Sequence, residues 1–293
     1  MDRSPPNNSL ERTHPRALAD ARSLRCAAQL KRSALVAEDR PMNLNELIEI
    51  WKREEQQPFT GWDFSYLAER MFEDQPPWSY SRHAAELMRQ ASSVIDLDTG
   101  GGERLLSLRD SWPSKVVATE AYSPNFHLAT QRLTPLGVTV VDVGLTDQGP
   151  MPFAEGEFEL VLNRHAAFNP KEVARILAPN GTFLTQQVHG RWAEDLLAAF
   201  GAHPQWEEAS LDKYVPQLRA AGLTISQAED CSGRLSFTDV GAIVYYLKAA
   251  PWLVPGFSVE THLEPLLKLQ GRLERGEGLA FAARKYLIEA CKA

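Results

Sequence analysis

The apolar and polar positions divide the chain into regions of different rhythm. Over residues 43–90, apolar residues recur at helical spacing in three stretches, LNELIEIWKREEQ, DFSYLAERMFEDQ and SYSRHAAELMRQ, which are separated by prolines and a glycine. This pattern predicts a small helical lobe over residues 42–91.

After Ser92, short apolar strands alternate with helical stretches. The strands are SVIDLD, KVVATEA, VTVVDVG, FELVLNR and TFLTQQV, and most are followed by an amphipathic segment. Such alternation specifies parallel strands joined by crossover helices, so residues 92–293 are predicted to form a doubly wound α/β domain. A further helix and strand follow. Residues 233–257 are then predicted to form an insertion, which separates these elements from a last strand near AFAARKYLIEACK. Thr238 or Asp239 is the expected cap of the helix in this insertion, which should end ahead of Pro251.

Residues 1–41 lack apolar periodicity and contain prolines, asparagines and scattered arginines. We predict that they form a flexible extension, and Met42 is an alternative start of the natural protein. An arginine-bearing amino terminus is also found in mitochondrial transit peptides, but five acidic residues dilute that signal here.

Charge and cysteine content narrow the class of protein. The formal net charge is −7, and residues 1–41 carry eight basic against five acidic side chains, which leaves −10 for the remainder. Nucleic-acid binders usually show the opposite balance. The three cysteines have neither metal-ligand nor disulfide spacing, which is typical of a reduced, cytoplasmic protein. No apolar run is long enough to predict a membrane span.

The stretch IDLDTGGGERLLSL, residues 95–108, is a strand that enters three glycines and leaves them as a helix. Ligands of doubly wound sheets bind at this position, beyond the carboxyl ends of the strands. A dinucleotide fingerprint would need a third glycine at Leu105, and a pyrophosphate would meet three carboxylates, Asp96, Asp98 and Glu103. A ligand with an ammonium group, a sulfonium and a ribose suits these surroundings better, and S-adenosylmethionine is such a ligand.

Residues 93–190 resemble the class I, Rossmann-like methyltransferases that use S-adenosylmethionine. VIDLDTGGGE is similar to the first motif of that family, and RILAPNGTFLT is similar to its helix-turn-strand before the fifth strand, with Gly181 as the left-handed helix stop. PFAEGEFELVL resembles the lead into its fourth strand, although Glu159 replaces the more frequent aspartate. The resemblance implies a mostly parallel, seven-stranded sheet.

The resemblance also implies a cofactor site. Glu120, at the end of the second strand, corresponds to the carboxylate that holds both ribose hydroxyls in the family. Asp147 corresponds to the residue that meets the adenine amino group, and Asp142 is its rival. The predicted cofactor contacts are Asp96, Asp98, Thr99, Gly100, Gly101, Gly102, Glu120, Ala121, Thr146, Asp147 and Asn163.

Asp98 departs from the family motif, because it stands where the first glycine of D-x-G-x-G-x-G belongs. A side chain in this tight turn should crowd the ligand. We therefore predict that the natural protein binds its cofactor weakly for its family.

The fourth strand ends in Asn163-Arg164-His165, at the edge where the family places its acceptor. His165 is the candidate general base, since the unperturbed pKa of histidine lies near neutrality, although a structural role remains open. Arg164 is a candidate ligand of an acidic acceptor, with a surface ion pair as the alternative. The NPPY motif of base-amino methyltransferases is absent, and the other histidines lack metal-ligand spacing.

Aromatic residues beside chain breaks are the candidates for lining the acceptor pocket. The predicted substrate-binding residues are Trp62, Trp78, Tyr80, Arg164, Tyr245 and Trp252. Packing within the helices is the alternative for each aromatic ring. Two lobes over one cofactor face would enclose a small molecule rather than a polymer. The sequence thus predicts an enzyme that methylates a small or medium-sized acceptor; the rival hypotheses are an rRNA or tRNA methyltransferase and a non-catalytic cofactor-binding regulator.

Overall fold

The computed structural model of the chain describes residues 43–60, 63–143 and 150–293. The chain divides into two compact units, Met1–Leu47 and Ile48–Ala293. The described part of the first unit is the short stretch 43–47, where the first helix begins. The predicted flexible extension, residues 1–41, lies outside the described residues.

The second unit contains all described strands and, apart from the start of the first helix, all described helices. The helices are α1 (Leu44–Glu55), α2 (Tyr80–Met88), α3 (Glu103–Ser107), α4 (Ser123–Leu133), α5 (Pro170–Ile176), α6 (Glu194–Ala199), α7 (Leu211–Ala220), α8 (Val240–Ala249) and α9 (Leu263–Glu274). The strands are β1 (Met71–Glu73), β2 (Ser93–Leu97), β3 (Lys115–Thr119), β4 (Thr139–Val141), β5 (Phe158–Arg164), β6 (Leu177–Val188), β7 (Leu223–Phe237) and β8 (Leu279–Lys292).

The described strands form one sheet in the order β1-β7-β8-β6-β5-β2-β3-β4. β4, β3, β2, β5 and β6 are parallel, whereas β8 is antiparallel to both of its neighbours, β6 and β7. The prediction of a doubly wound, mostly parallel α/β sheet is therefore confirmed. The sheet has eight described strands, the seven predicted ones and the additional β1.

Alternate residues of the central strands pack against helices on opposite faces of the sheet. Ile95 of β2 belongs to the core under α5 and α7, and its neighbour Val94 belongs to the core under α2, α3 and α4. All five residues of β2 are buried. This burial on both faces is what a central strand of a doubly wound sheet requires.

The prediction of a helix over DFSYLAERMFEDQ is wrong. A short 3₁₀ turn, Ser65–Leu67, is followed by β1, which pairs antiparallel with the end of β7 so that Met71 faces Phe237 and Glu73 faces Leu235. The backbone bonds that this pairing gives to the sheet edge outweigh the local helical preference, because tertiary contacts routinely override propensity.

The helix predicted inside the insertion is confirmed as α8. Asp239 caps it, since its side chain accepts a hydrogen bond from the Ala242 amide at 2.8 Å, and the helix ends before Pro251. The interruption begins later than the expected residue 233, because β7 continues to Phe237. Within the described residues, no helix has the length and apolar character needed to cross a bilayer.

Candidate functional site

The sheet register brings the predicted site residues to one edge. Asp96 of β2 is level with Ala118 of β3 and Leu162 of β5, so the carboxyl ends of all three strands meet. The order of the sheet reverses here, since β3 and β5 flank β2 on opposite sides. Such a switch point leaves a crevice for a ligand.

Close packing explains the glycines after β2. A Cβ atom on Gly101 would lie 2.8 Å from Leu128 Cδ2, and Gly102 has a left-handed φ of 82° with Leu133 Cδ1 at 2.8 Å from its Cβ position. Arg132 of α4 donates a hydrogen bond to the Gly101 carbonyl at 3.0 Å. The turn is thus packed against α4, so a side chain at either glycine would require Leu128 or Leu133 to move, and at Gly102 it would also be strained by the left-handed φ.

Glu120 ties the glycine turn to the loop after β3. Its Oε2 accepts a hydrogen bond from the Gly100 amide at 2.8 Å and its Oε1 accepts one from the Tyr122 amide at 2.8 Å. The residue is 6% exposed, and this burial raises its pKa. The Ala121 amide and the Asn125 side chain also act on this carboxylate, and a carboxylate has about four lone-pair sites, so a ligand donor can take the place of these weaker contacts.

Three carboxylates crowd the edge around the glycine turn. Burial raises the pKa of Asp96 to about 6, although Thr99 Oγ1 donates a hydrogen bond to it at 2.7 Å. Burial, together with repulsion from Glu120 and Asp96, raises the pKa of Asp98 to about 7. No described residue forms an ion pair with any of the three. Arg164 and Arg104 act on Asp96 through their charge, but no described cation contacts any of these three carboxylates directly.

Asn163 braces β5 against β6. It is fully buried, and its Oδ1 accepts hydrogen bonds from Thr185 Oγ1 at 2.9 Å and from Gln187 Nε2 at 2.5 Å. Because protein groups already engage this side chain, a cofactor contact at Asn163 would come from its backbone.

His165 follows β5 in a left-handed conformation, with φ of 59°. The residue is exposed at its surface, but desolvation by the surrounding protein and the cations Arg164, Lys285 and Arg104 hold its pKa well below the usual value. Its Nε2 is 3.1 Å from Gln186 Nε2. At neutral pH the ring is uncharged.

Two arginines and a tyrosine surround Asp96 from the other side. The Arg164 pKa is lowered by burial and by the charge of Arg104, and the Arg164 guanidinium forms no hydrogen bond or ion pair with the described residues. Arg104 donates a hydrogen bond to Ser81 Oγ at 3.0 Å. The Tyr80 hydroxyl is buried near Asp96 and the Asn163 backbone, and it donates no hydrogen bond to a described residue. A buried donor of this kind costs about 1–3 kcal/mol unless a ligand engages it.

The other aromatic residues that were predicted to bind the substrate lie in different parts of the structure. Trp78 donates a hydrogen bond to Gln186 Oε1 at 2.8 Å, beside His165. Tyr245 is buried in a ring cluster with Phe59 and Tyr66, and its hydroxyl binds the Pro58 carbonyl at 3.3 Å. These contacts attach Pro58, Phe59 and Tyr66 to α8. Trp252 follows that helix and is 38% exposed.

Three predicted contacts, Trp62, Thr146 and Asp147, lie outside the described residues. Thr99, Gly100 and Ala121 lie on the loops that leave β2 and β3, at the same edge as Asp96.

Sequence reasoning missed the polar residues of β6. Gln186 and Gln187 are 4% and 7% exposed, and both contact residues of the Asn163–His165 segment. A signal existed, because a run of three polar residues, Thr185 to Gln187, is unusual in a central parallel strand, which normally reads as continuously apolar.

No protein-family model and no curated protein matches this chain. Solved structures do match. YcgJ from Bacillus subtilis is 16% identical with a TM-score of 0.51 over 73% of this chain and 97% of that chain. BH2331 from Bacillus halodurans C-125, a candidate methyltransferase, is 18% identical with a TM-score of 0.51 over 72% of this chain and 96% of that chain. A functionally unknown protein from Deinococcus radiodurans R1 is 12% identical with a TM-score of 0.50 over 76% and 91%. At these identities the likeness is one of fold.

Proposed function

We propose that this chain, which has the fold of the class I methyltransferases, transfers a methyl group from S-adenosylmethionine to a small or medium-sized acceptor. The observation that carries the proposal is the set of three carboxylates, Asp96, Asp98 and Glu120, which lie around the glycine turn and form no ion pair with a described residue. A ligand with an ammonium and a sulfonium supplies the missing positive charge, whereas a dinucleotide would add phosphates.

The residues present fit this cofactor. Glu120 accepts hydrogen bonds from the ribose with the lone pairs that Gly100 and Tyr122 leave free. Asp96 attracts the positive end of the methionine moiety, and the buried Tyr80 hydroxyl gains a partner there. The bound cofactor supplies an activated methyl group, so the protein mainly has to hold an acceptor atom in line with it, about 3 Å away.

Binding by Glu120 is tested by calorimetry with S-adenosylhomocysteine. We expect Glu120→Ala to weaken binding by about 1.5–3 kcal/mol, the range for a hydrogen bond to a charged group. The exposed Glu264→Ala on α9 is the matched control and should bind like the wild type. Unchanged affinity in folded Glu120→Ala would remove this residue from the site.

The acceptor class is tested with methyl-labelled S-adenosylmethionine and a cell extract separated into small-molecule, RNA and protein fractions. We expect label in the small-molecule fraction. Label in RNA would favour an rRNA or tRNA methyltransferase, against which the acidic balance of the chain argues. Tight binding without any transfer would favour a non-catalytic regulator.

A further inference from the structure

A chain of three side chains, Trp78, Gln186 and His165, determines which ring nitrogen of His165 carries the proton. The Trp78 indole can only donate, and it donates from Nε1 to Gln186 Oε1 at 2.8 Å. The amide oxygen of Gln186 therefore points toward Trp78, and the amide nitrogen points away from it. The reverse orientation would place two N–H groups against each other in a buried position.

The oriented amide then fixes the imidazole. Gln186 Nε2 lies 3.1 Å from His165 Nε2, and an amide nitrogen carries only donor hydrogens. His165 Nε2 must therefore accept, so the proton of the neutral ring is on Nδ1. Gln186 is 4% exposed, so its amide has little access to water as an alternative partner. The lone pair that a general base would need is already engaged.

The charges around His165 keep the ring neutral. Arg164, Lys285 and Arg104 are the charged groups that act on it, and each adds to the burial that lowers its pKa. Lys285 is paired with Glu73 at 2.6 Å, whereas Arg164 forms no ion pair with the described residues. The surroundings of the ring therefore favour a bound anion.

We propose that Trp78 and Gln186 are positioning residues that hold His165 as an Nδ1–H donor, and that the acceptor atom attacks as an anion, a carboxylate above all. This proposal rests on the proposed function and replaces the general-base role of His165. A thiol or a phenol is protonated near neutral pH and would need a base, whereas a carboxylic acid is already ionised.

The reaction then needs no proton transfer. A carboxylate oxygen forms the new bond to the methyl carbon with its own lone pair, and the carbon–sulfur bond breaks with its electron pair retained on sulfur. The acceptor leaves as a neutral methyl ester and the cofactor as a neutral thioether. His165 and Arg164 hold the second carboxylate oxygen.

The tautomer is tested by NMR of the full chain with ¹⁵N-labelled histidine at pH 7.5, with the His165 signals identified by their loss in His165→Asn. We expect a protonated Nδ1 and a bare Nε2. Gln186→Glu should move the proton to Nε2, because a carboxylate only accepts. Trp112→Phe removes an equivalent indole hydrogen bond elsewhere, at Leu105, and should leave the tautomer unchanged. A wild-type ring protonated on Nε2 would overturn the positioning role, and Trp78→Phe gives a second test if the glutamate variant does not fold.

The donor role is tested by comparing His165→Asn with His165→Ala. The Asn amide nitrogen stands near the position of Nδ1 and can donate from there, and asparagine suits the φ of 59°. We expect His165→Asn to retain turnover within about tenfold of the wild type, while His165→Ala, which has no donor, loses about a hundredfold or more. Equal losses in both variants would restore the base role.

The acceptor class is tested by mild alkali treatment of the products that the wild type labels in a deproteinised cell extract supplemented with carboxylic acids. Methyl esters release labelled methanol, whereas N-, C- and S-methyl products keep the label. Alkali-stable label would overturn the carboxylate acceptor and leave methyl transfer intact. No label in any product would overturn the proposed function as well, while the NMR result would still decide the tautomer.

Discussion

Asp98 holds a left-handed backbone conformation, with φ of 53°, at the position where the family motif has glycine. Aspartate tolerates this region better than most residues. Burial and the neighbouring Glu120 and Asp96 raise its pKa to about 7, so its charge changes within the neutral range. One residue thus combines backbone strain with repulsion between carboxylates.

The stability of the ligand-free protein should therefore fall as pH rises. Because the folded pKa of Asp98 is raised, its favourable contribution is complete below the unfolded value near 3.8 and is lost as pH rises through about 7. We expect Asp98→Asn to be more stable than the wild type by at least about 1 kcal/mol at pH 8, with little difference at pH 4. Urea midpoints across this range measure the effect. The exposed Asp110→Asn should show no such pH-dependent gain.

Cofactor affinity gives a second prediction for the same residue. We expect Asp98→Gly to bind S-adenosylhomocysteine more tightly, because glycine removes both the strain and the crowded side chain. Because the pKa of Asp98 is raised to about 7, its carboxyl is only partly charged at neutral pH, and the attraction that glycine removes is smaller than this gain. Calorimetry at two salt concentrations separates the two effects. Weaker binding by the glycine variant at low salt would identify Asp98 as a ligand of the positive end of the cofactor.

The site residues that could be predicted from the sequence are those identified by a local motif and its spacing. The glycine turn after an apolar strand and Glu120 after the next strand follow a fixed spacing, and the structure places both at one edge. Gln186 could not be assigned in this way, because its role depends on Trp78 and His165, which are 108 and 21 positions away.

At the scale of elements, the start of α8 joins a helix cap to an ion pair. Asp239 accepts a hydrogen bond from the Ala242 amide at 2.8 Å and binds Arg70 through both oxygens, at 2.7 and 2.9 Å. Arg70 also contacts Glu54 of α1 at 3.0 Å. One carboxylate therefore fixes α8 to the residues that lead into β1.

Two substitutions separate these contributions. Asp239→Asn keeps the cap and loses the charge, whereas Asp239→Ala loses both. We expect the alanine variant to be less stable than the asparagine variant by about 1 kcal/mol, the usual cost of an N-cap. Denaturant unfolding measures the difference. Equal stabilities would show that the cap contributes nothing and that only the ion pair matters.

Prediction of elements failed where long-range pairing decides the local structure. The residues of β1 have the apolar spacing of a helix, but they form a strand that pairs with Leu235–Phe237 of β7. The first residues of β6 show the same limit at single-residue detail. The left-handed residue is Asn180, with φ of 61°, rather than the predicted Gly181, which instead lies close to the Ala178 and Glu159 carbonyls.

At the scale of the whole molecule, the predicted role of residues 1–41 is directly testable. Little in this segment can dock on a core, so we expect its deletion to change the melting temperature by less than about 2 °C and to spare cofactor affinity. Thermal unfolding and calorimetry of the two forms measure this. A large drop in melting temperature would show that the segment is an integral element.

The parallel part of the sheet was predictable because β2, β3, β5 and β6 are each followed by a helix, and that alternation is visible in the sequence. The antiparallel part of the sheet was harder to predict from the sequence. β7 spans 15 residues with only partial alternation of buried and exposed positions. No local sequence pattern therefore predicts its length or its pairing with β1.

The position of β8 has a consequence for biosynthesis. β8 follows both of its sheet neighbours in the chain, yet it lies between them, with β6 on one side and β7 on the other. A ribosome therefore releases β7 and β1 long before the strand that connects them to the parallel sheet. Until Leu279–Lys292 emerges, their backbone edges stay open, and nascent chains are exposed to the wrong partners during this interval.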